Sequence, residues 1–361
     1  MRREFRNFDE VLALSEQELA ARTVGIDYPG SIDDLRPLLD WNIDGQRAAV
    51  SMTACAGYNP TTLREALKRG FDLLGVGDNL ANARKIVVKV GLIEASRPEE
   101  HVTAHPLLMR ELVLLLRETA PSGASICIAD GSGHERDTAH LLNLAGVQAV
   151  LDELRIPFVD LNTDDLRVVE TPQPMAFREF VLPRTITDAD FVISLAKIKT
   201  HHRAGVTLGM KNLFGCVPGS VYGFPKTRLH YAGVARVIAD LQSVVKPQLT
   251  VLDGVVAMEG TGPLDGSPVD LGAIVISKNT AAADAVTARH LGFAISLLPQ
   301  FWYCLDKGLL PRPTVVGDEQ QVLTRPFEPP NNIGWLRDTA NQSIEQQTAL
   351  LARLLSSAHP S

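Results

Sequence analysis

An α/β fold, with a mixed and mostly parallel sheet flanked by helices, is what this sequence predicts. Three observations carry that expectation. Short apolar runs alternate with longer stretches of helical periodicity from residue 47 to residue 291. Glycine and proline mark many of the junctions between them. Polar clusters stand directly behind several apolar runs, as they do where strands open onto a ligand crevice. The α/β core is expected at 46–295, either as one body or as two α/β lobes, 46–165 and 186–295, around a central cleft.

Taken in order, residues 1–45 read as an N-terminal extension in which Ser15–Arg22 has a helical pattern with a serine start signal. Arg47–Thr53 reads as a strand, and Thr61–Leu74 as an amphipathic helix closing near Gly75. Lys85–Gly91 is a buried strand with one interior lysine, Lys89. His105–Thr119 is a helix that tolerates Pro106 in its first turn. Ser125–Asp130 is a strand that breaks at Asp130-Gly131. A helix follows over Thr138–Leu154, interrupted at Gly146, and then a short strand over Pro157–Leu161. Residues 165–185 form a β-rich excursion with Pro172, Pro174 and Pro183. The sheet pattern resumes with Phe191–Ala196, the helix Tyr231–Val245, the strands Gln248–Asp253 and Ala273–Ser277, and the helix Thr280–Leu291. Residues 296–361 read as a C-terminal extension, proline-rich until a last helix near Gln342–Leu355.

Composition narrows the function. Of 361 residues, 45% are hydrophobic, enough for a sizeable core, and the net charge of −7 gives no basic field for nucleic acid. No apolar run is long enough to span a membrane. Cys55, Cys127, Cys216 and Cys304 are widely spaced with no Cys-x-x-Cys pair, so no iron–sulfur cluster is expected. Sparse cysteine and the lack of an apolar N-terminal segment make the cytoplasm the expected location.

Against this acidic background one segment is strongly cationic. Lys197–Gly219 carries three lysines, two histidines, an arginine and an asparagine directly behind Asp190–Ala196. If the strand continues past Ala196, its period of two puts Lys197, Lys199 and His201 on one face. An anionic ligand or nearby carboxylates would relieve their repulsion, and crowding lowers a lysine's pKa toward base or nucleophile duty. The alternative is a solvated edge strand guarded by lysine. Lys211 follows the glycines of Gly205–Gly209 and suits a carboxylate or phosphate that Asn212 orients, although the Gly-Lys-[Ser/Thr] ending of a phosphate loop is absent. His201 and His202 would face opposite sides of a strand, so either one alone is the better metal candidate. His230 is a candidate acid or base, or a surface histidine. Asp253 ends a strand and Glu259 sits in the glycine-rich loop behind it, suiting proton transfer or a divalent metal ion; Asp265 in the same loop is equally explained by turn chemistry. Asp130-Gly-Ser-Gly133 is too short for a dinucleotide fingerprint but can cup an oxyanion. Asp284 is either a buried partner for a lysine or a helix-face charge. No Gly-x-Ser-x-Gly elbow occurs, which disfavours a serine hydrolase.

These residues resemble the domain of unknown function 362 family. The resemblance rests on Ala48-Ala-Val-Ser51, Leu73-Leu-Gly75, Val87-Val-Lys89, Leu195-Ala-Lys-Ile-Lys-Thr-His201 and Thr207-Leu-Gly-Met-Lys-Asn-Leu-Phe-Gly215. It continues through His230, Asp253-Gly254, Met258-Glu-Gly-Thr-Gly-Pro263 and Ala283-Asp284. It covers roughly 47–292. Many relatives append a ferredoxin-like cysteine cluster, absent here, and show Lys-Pro-Asn where this chain has Lys89-Val-Gly91. A weaker similarity links His201-x-x-Ala-Gly-x-x-x-Gly-x-Lys211 and Pro218-Gly219 to the lactate racemase family motif. That similarity implies His201 as proton-transfer base, Lys211 as tether for a nickel-pincer nucleotide and His230 as a metal ligand.

The expectation is an enzyme of undetermined reaction class, oxidoreductase or isomerase/lyase, acting on a small anionic metabolite. Lys199, His201, His202, Lys211, His230 and Glu259 are its candidate catalytic residues, and Lys89, Asp130, Lys197, Asn212 and Asp253 its candidate ligand-binding residues. His201, His202 and His230 are the candidate metal ligands. A nickel-pincer racemase-like enzyme and a non-catalytic anionic-cofactor binder are the alternatives. A small anionic metabolite is the expected partner and a homodimer is left open. Neither nucleic acid nor membrane is expected.

Overall fold

A parallel array with one reversed member forms the centre of the molecule. The computed structural model describes residues 3–4, 46–322 and 326–349. The principal sheet has ten strands. Eight form a continuous path: β1 (Arg47–Ala54), β2 (Lys85–Lys89), β3 (Ser125–Asp130), β4 (Phe158–Asp160), β5 (Phe191–His201), β6 (Leu249–Glu259), β7 (Ala273–Ser277) and β8 (Arg312–Gly317). Their spatial order is β8-β1-β7-β6-β5-β2-β3-β4. All neighbours on this path pair in parallel except β7, which is antiparallel to both β6 and β1. Gly205–Thr207 adds to β5 and Ser267–Val269 to β6. The expected mixed, mostly parallel α/β sheet is therefore present.

Helices cover both faces because parallel strands are apolar on both sides. Pro60–Leu74, Pro106–Thr119 and Val147–Leu154 pack on one face against residues such as Ile86, Val88, Ile193 and Val251. Val234–Val245, Thr280–His290 and Pro299–Asp306 cover the other, against Val87, Val192, Leu252 and Val275. Cap chemistry sets several boundaries. Asn59 accepts from Thr61 N at the start of the first helix, and Gly75, at φ 60°, closes it. Gly146, at φ 68°, separates Thr138–Leu144 from Val147–Leu154, where the sequence pattern was interrupted.

Both stretches proposed as lobes contribute to this one sheet, since β2 pairs directly with β5. The tail also takes part: β8 pairs with β1, because Arg312–Gly317 presents extended backbone to the open edge. The excursion after residue 165 is a separate antiparallel sheet of Leu166–Glu170 and Glu179–Pro183, with Arg3–Glu4 on its edge. The helical reading of Ser15–Arg22 lies outside the described residues, as does the end of the last helix, which is described over residues 344–349.

The chain order around β2 fixes where a site can form. From β2 the chain moves outward through β3 to β4, then returns to the opposite side of β2 as β5 and continues to β6. Crossovers leaving in opposite directions open a crevice at the carboxyl ends of β2 and β5.

Candidate anion-binding cavity

The pairing of β2 with β5 ends at Lys89 opposite Ser194. Asn212 occupies the split. Its Nδ2 donates to Leu195 O at 3.1 Å and Ser194 Oγ at 3.0 Å, while its Oδ1 accepts from Lys89 Nζ at 2.5 Å. One side-chain amide thus replaces the ladder where the two strands diverge. Asn212 and Lys211 sit on the short helix Gly209–Asn212. Both oxygens of Asp284 hold its start, accepting from Gly209 N and Met210 N at 2.8 Å each. Burial pushes the Asp284 carboxyl up to about 8, opposed by those two N–H groups. Asp284 therefore partners backbone, neither a lysine nor solvent. The amide of Gly209 is committed to it, so it is not a ligand donor as its glycine-rich setting suggested. A Cβ at Gly209 would lie 2.6 Å from Thr250 Cγ2.

Above the split lies a cavity of about 320 Å³. Lys89, Lys197, Lys199, Arg203, Lys211 and Lys226 line it, with four histidines, and Asp130 is the one carboxylate among its lining residues. Most of these cations are fixed in place. β5 does continue through His201, and its pleat puts Lys197, Lys199 and His201 on the face shared by Ile193 and Leu195. Lys197 Nζ donates to Asp253 Oδ2 and Tyr58 Oη at 2.7 Å each, with both charged side chains almost wholly buried. Lys199 Nζ donates to Val102 O at 2.5 Å and Pro263 O at 3.0 Å, and among the described residues no carboxylate is hydrogen-bonded to it. Burial, then repulsion from Lys197, Lys211 and Lys89, holds its pKa well below the ordinary value. Lys226 Nζ donates to Asn162 Oδ1 and Val217 O at 2.7 Å each, and burial brings it down to about 7.

Lys211 is different. Its Nζ lies 3.7 Å from the centre of the Phe214 ring, and among the described residues no acceptor takes a hydrogen bond from it. Burial, then Lys89 and Arg203, lowers its pKa to about 7, against a π face that favours the ammonium. Asp130 lies 3.4 Å from Lys89 and accepts from Leu92 N at 2.5 Å; burial raises it to about 6 despite the lysine. Gly215 leaves room for this pair: a Cβ there would overlap Asp130 Oδ1 and stand 2.6 Å from Lys89 Nζ.

The histidines divide by tautomer. His201 Nδ1 accepts from Arg203 N at 3.0 Å and Ala204 N at 3.2 Å, so the neutral ring carries its proton on Nε2. Burial and the surrounding cations keep it neutral. His201 is thereby a hydrogen-bond donor. The expected roles as base and metal ligand both need a lone pair, and in this arrangement the one that His201 has, on Nδ1, is occupied by two amides. His230 has the opposite arrangement. Its Nδ1 is 3.0 Å from Lys226 O, which can only accept, so Nε2 is unprotonated. Burial and Lys211 lower its pKa to about 3. His202 is exposed at the rim and stacks on His201. Among the described residues, no group of three or more His, Cys, Asp or Glu is placed to hold a metal ion.

The structure thus brings Lys89, Asp130, Lys197, Lys199, His201, His202, Lys211, Asn212 and His230 to one cavity. Asp253 stands behind it as the counterion of Lys197, also accepting from Tyr58 Oη and His105 N at 2.8 Å each. Glu259 is outside the cavity lining; it accepts from Glu328 N at 2.9 Å. Sequence reasoning missed Lys226, Asn162, Tyr58 and His134. His134 sits four residues past Asp130, in a strand-end loop already singled out, so that signal was readable. Nothing in the sequence near Tyr58 or Asn162 marks either residue.

The chain resembles known proteins. A thylakoid-associated protein of Synechocystis sp. is 27% identical over 261 residues, 70% of this chain and 77% of that protein. The lactate racemase apoprotein from Thermoanaerobacterium thermosaccharolyticum aligns in structure with a TM-score of 0.44 and 15% identity, over 75% of this chain and 62% of that one. The family model described as domain of unknown function (DUF362) matches residues 86–289, which hold β2 from its second residue, β3 through β7 and every lysine of the cavity, and the chain belongs to that family.

Proposed function

We propose that this protein is an enzyme that binds a small carboxylate- or phosphate-bearing metabolite in the cavity and moves a proton on it. The supporting observation is the charge imbalance: five lysines and an arginine line the space against one carboxylate. Burial, then repulsion among the cations, depresses Lys199 and Lys211, and a guest of opposite charge relieves the second of these. His201 Nε2–H donates to a ligand oxygen. His230 Nε2 accepts a proton, and an anion beside it raises its pKa from about 3 toward the range where a base is effective.

The nickel-pincer reading asks for His201 as base, Lys211 as tether and His230 as metal ligand. Lys211 and His230 have the necessary free nitrogens, but His201 does not have the lone pair. The residues do not fit that group as a set, and no step is derived through it. No helix among the described residues is long and apolar enough to cross a membrane. The thylakoid association of the Synechocystis relative makes a peripheral membrane location as compatible with this protein as the cytoplasm.

The test is calorimetric titration of the full chain with inorganic phosphate and with malonate at low salt. Solvent-deuterium exchange into a panel of small carboxylates and phosphate esters, followed by proton NMR, then reports turnover. His230→Gln should keep anion binding and lose exchange. Failure of every anion to bind would overturn the proposal.

A further inference from the structure

We propose that Lys211 is a nucleophile that forms an imine with a small aldehyde or ketone bearing a carboxylate or phosphate, an inference that rests on the anion-binding reading above. The case begins with the other lysines of the cavity. Lys89 is held by Asn212 and Asp130, Lys197 by Asp253 and Tyr58, Lys199 by two carbonyls, and Lys226 by Asn162 and a carbonyl. Each of those nitrogens is anchored by two protein oxygens, so reaching the carbonyl carbon of a guest would mean giving up hydrogen bonds already made. Lys211 Nζ instead rests on the Phe214 ring, which holds an ammonium more weakly than an anion does and leaves the lone pair unobstructed once the proton departs. With its pKa at about 7, the neutral amine is well populated near neutral pH.

His230 flanks the same ring, its centroid 5.6 Å from that of Phe214, with Nε2 unprotonated. Amine and proton carrier therefore share one wall of the cavity. The Lys211 lone pair attacks the carbonyl carbon, the C=O π pair moves to oxygen, and one proton passes from nitrogen to that oxygen to give a carbinolamine. The second nitrogen proton then leaves with the hydroxyl as water, and the C=N bond forms. His230 Nε2 takes the proton from nitrogen and returns it to the departing oxygen. No oxidant or reductant is needed. The remaining cations neutralise the carboxylate or phosphate of the carbonyl compound. A 2-oxo acid and a phosphorylated aldehyde both meet these requirements.

The experiment incubates the full chain separately with pyruvate and with pyridoxal 5′-phosphate, reduces it with cyanoborohydride, and maps modified lysines by peptide mass spectrometry. The exposed Lys68, Lys85 and Lys246 are internal controls. Lys211 should be labelled roughly tenfold faster than these, and excess inorganic phosphate should suppress that difference. Lys211→Arg should abolish the cavity adduct, since arginine keeps the charge and cannot condense. His230→Gln should slow labelling at Lys211 only. Uniform labelling of exposed lysines by a chain that still binds phosphate would overturn the imine and leave the anion site standing. Loss of both label and phosphate binding in the unmodified chain would overturn both.

Discussion

Replacing Asp253 with asparagine removes one negative charge from the middle of the sheet and little volume. Asp253 is fully buried and accepts from Lys197 Nζ, Tyr58 Oη and His105 N, all within 2.8 Å. Asparagine keeps one acceptor oxygen, so the main loss is the counter-charge of a lysine that is itself almost wholly buried. Breaking such a pair costs about 3–5 kcal/mol, because the surviving ion stays desolvated without compensation. Set against a whole-domain stability of about 5–15 kcal/mol, that deficit is large. The assay is equilibrium urea denaturation at neutral pH followed by circular dichroism. The double variant Asp253→Asn/Lys197→Met, which removes the orphaned charge, should recover about 2 kcal/mol or more of the deficit. Raising the pH should also shrink the deficit of the single variant, because Lys197, already depressed by burial, can then shed its proton. A single variant within about 1 kcal/mol of the parent, or a double no better than the single, would refute the view that this pair is a charge-compensated anchor.

Further outcomes follow from the same geometry. Lys211 and Lys226 have native pKa values of about 7 against an ordinary 10.5, so between those limits the unfolded chain holds protons that the native state has released at these two sites; their contribution to the stability of the ligand-free protein should rise with pH over that window, read as the difference in thermal melts between the parent and its Lys211→Met/Lys226→Met variant, and a difference that falls over it would contradict this. Excess phosphate should flatten the rise by restoring the ammonium forms. Gly215→Ala should cost about 1–3 kcal/mol by displacing Lys89 and Asp130, and should weaken phosphate binding in the same calorimeter; unchanged values for both would disprove the close-packing account. Nitrogen-15 NMR should find His201 as the Nε2–H tautomer and His230 as the Nδ1–H tautomer, neither titrating near neutrality; matching tautomers would remove the division of roles.

The sheet and the position of its cavity were legible because apolar runs ending in polar clusters report both the strands and their carboxyl ends. Phe191–His201 is the clearest case, since the period of two in a strand puts Lys197, Lys199 and His201 on one face. What the sequence could not show is what each group binds. Asp253 reads as a site wall, yet its oxygens are taken by Lys197, Tyr58 and a backbone amide from three other segments. His201 reads as a base, yet two amides directly after it in the chain occupy its Nδ1. Lys226 and Asn162 meet across 64 positions of sequence, and no local pattern announces such a pairing.

The tethering of four cavity lysines has a practical consequence. Their ammonium groups are immobilised by protein oxygens before any guest arrives, so little side-chain freedom remains to be surrendered on binding. A socket with stationary walls cannot remodel itself around differently shaped anions. It will sort them by dimensions and by where their charge is carried, and engineered changes of preference are better sought at the unfastened Lys211 and at the rim than among the anchored four.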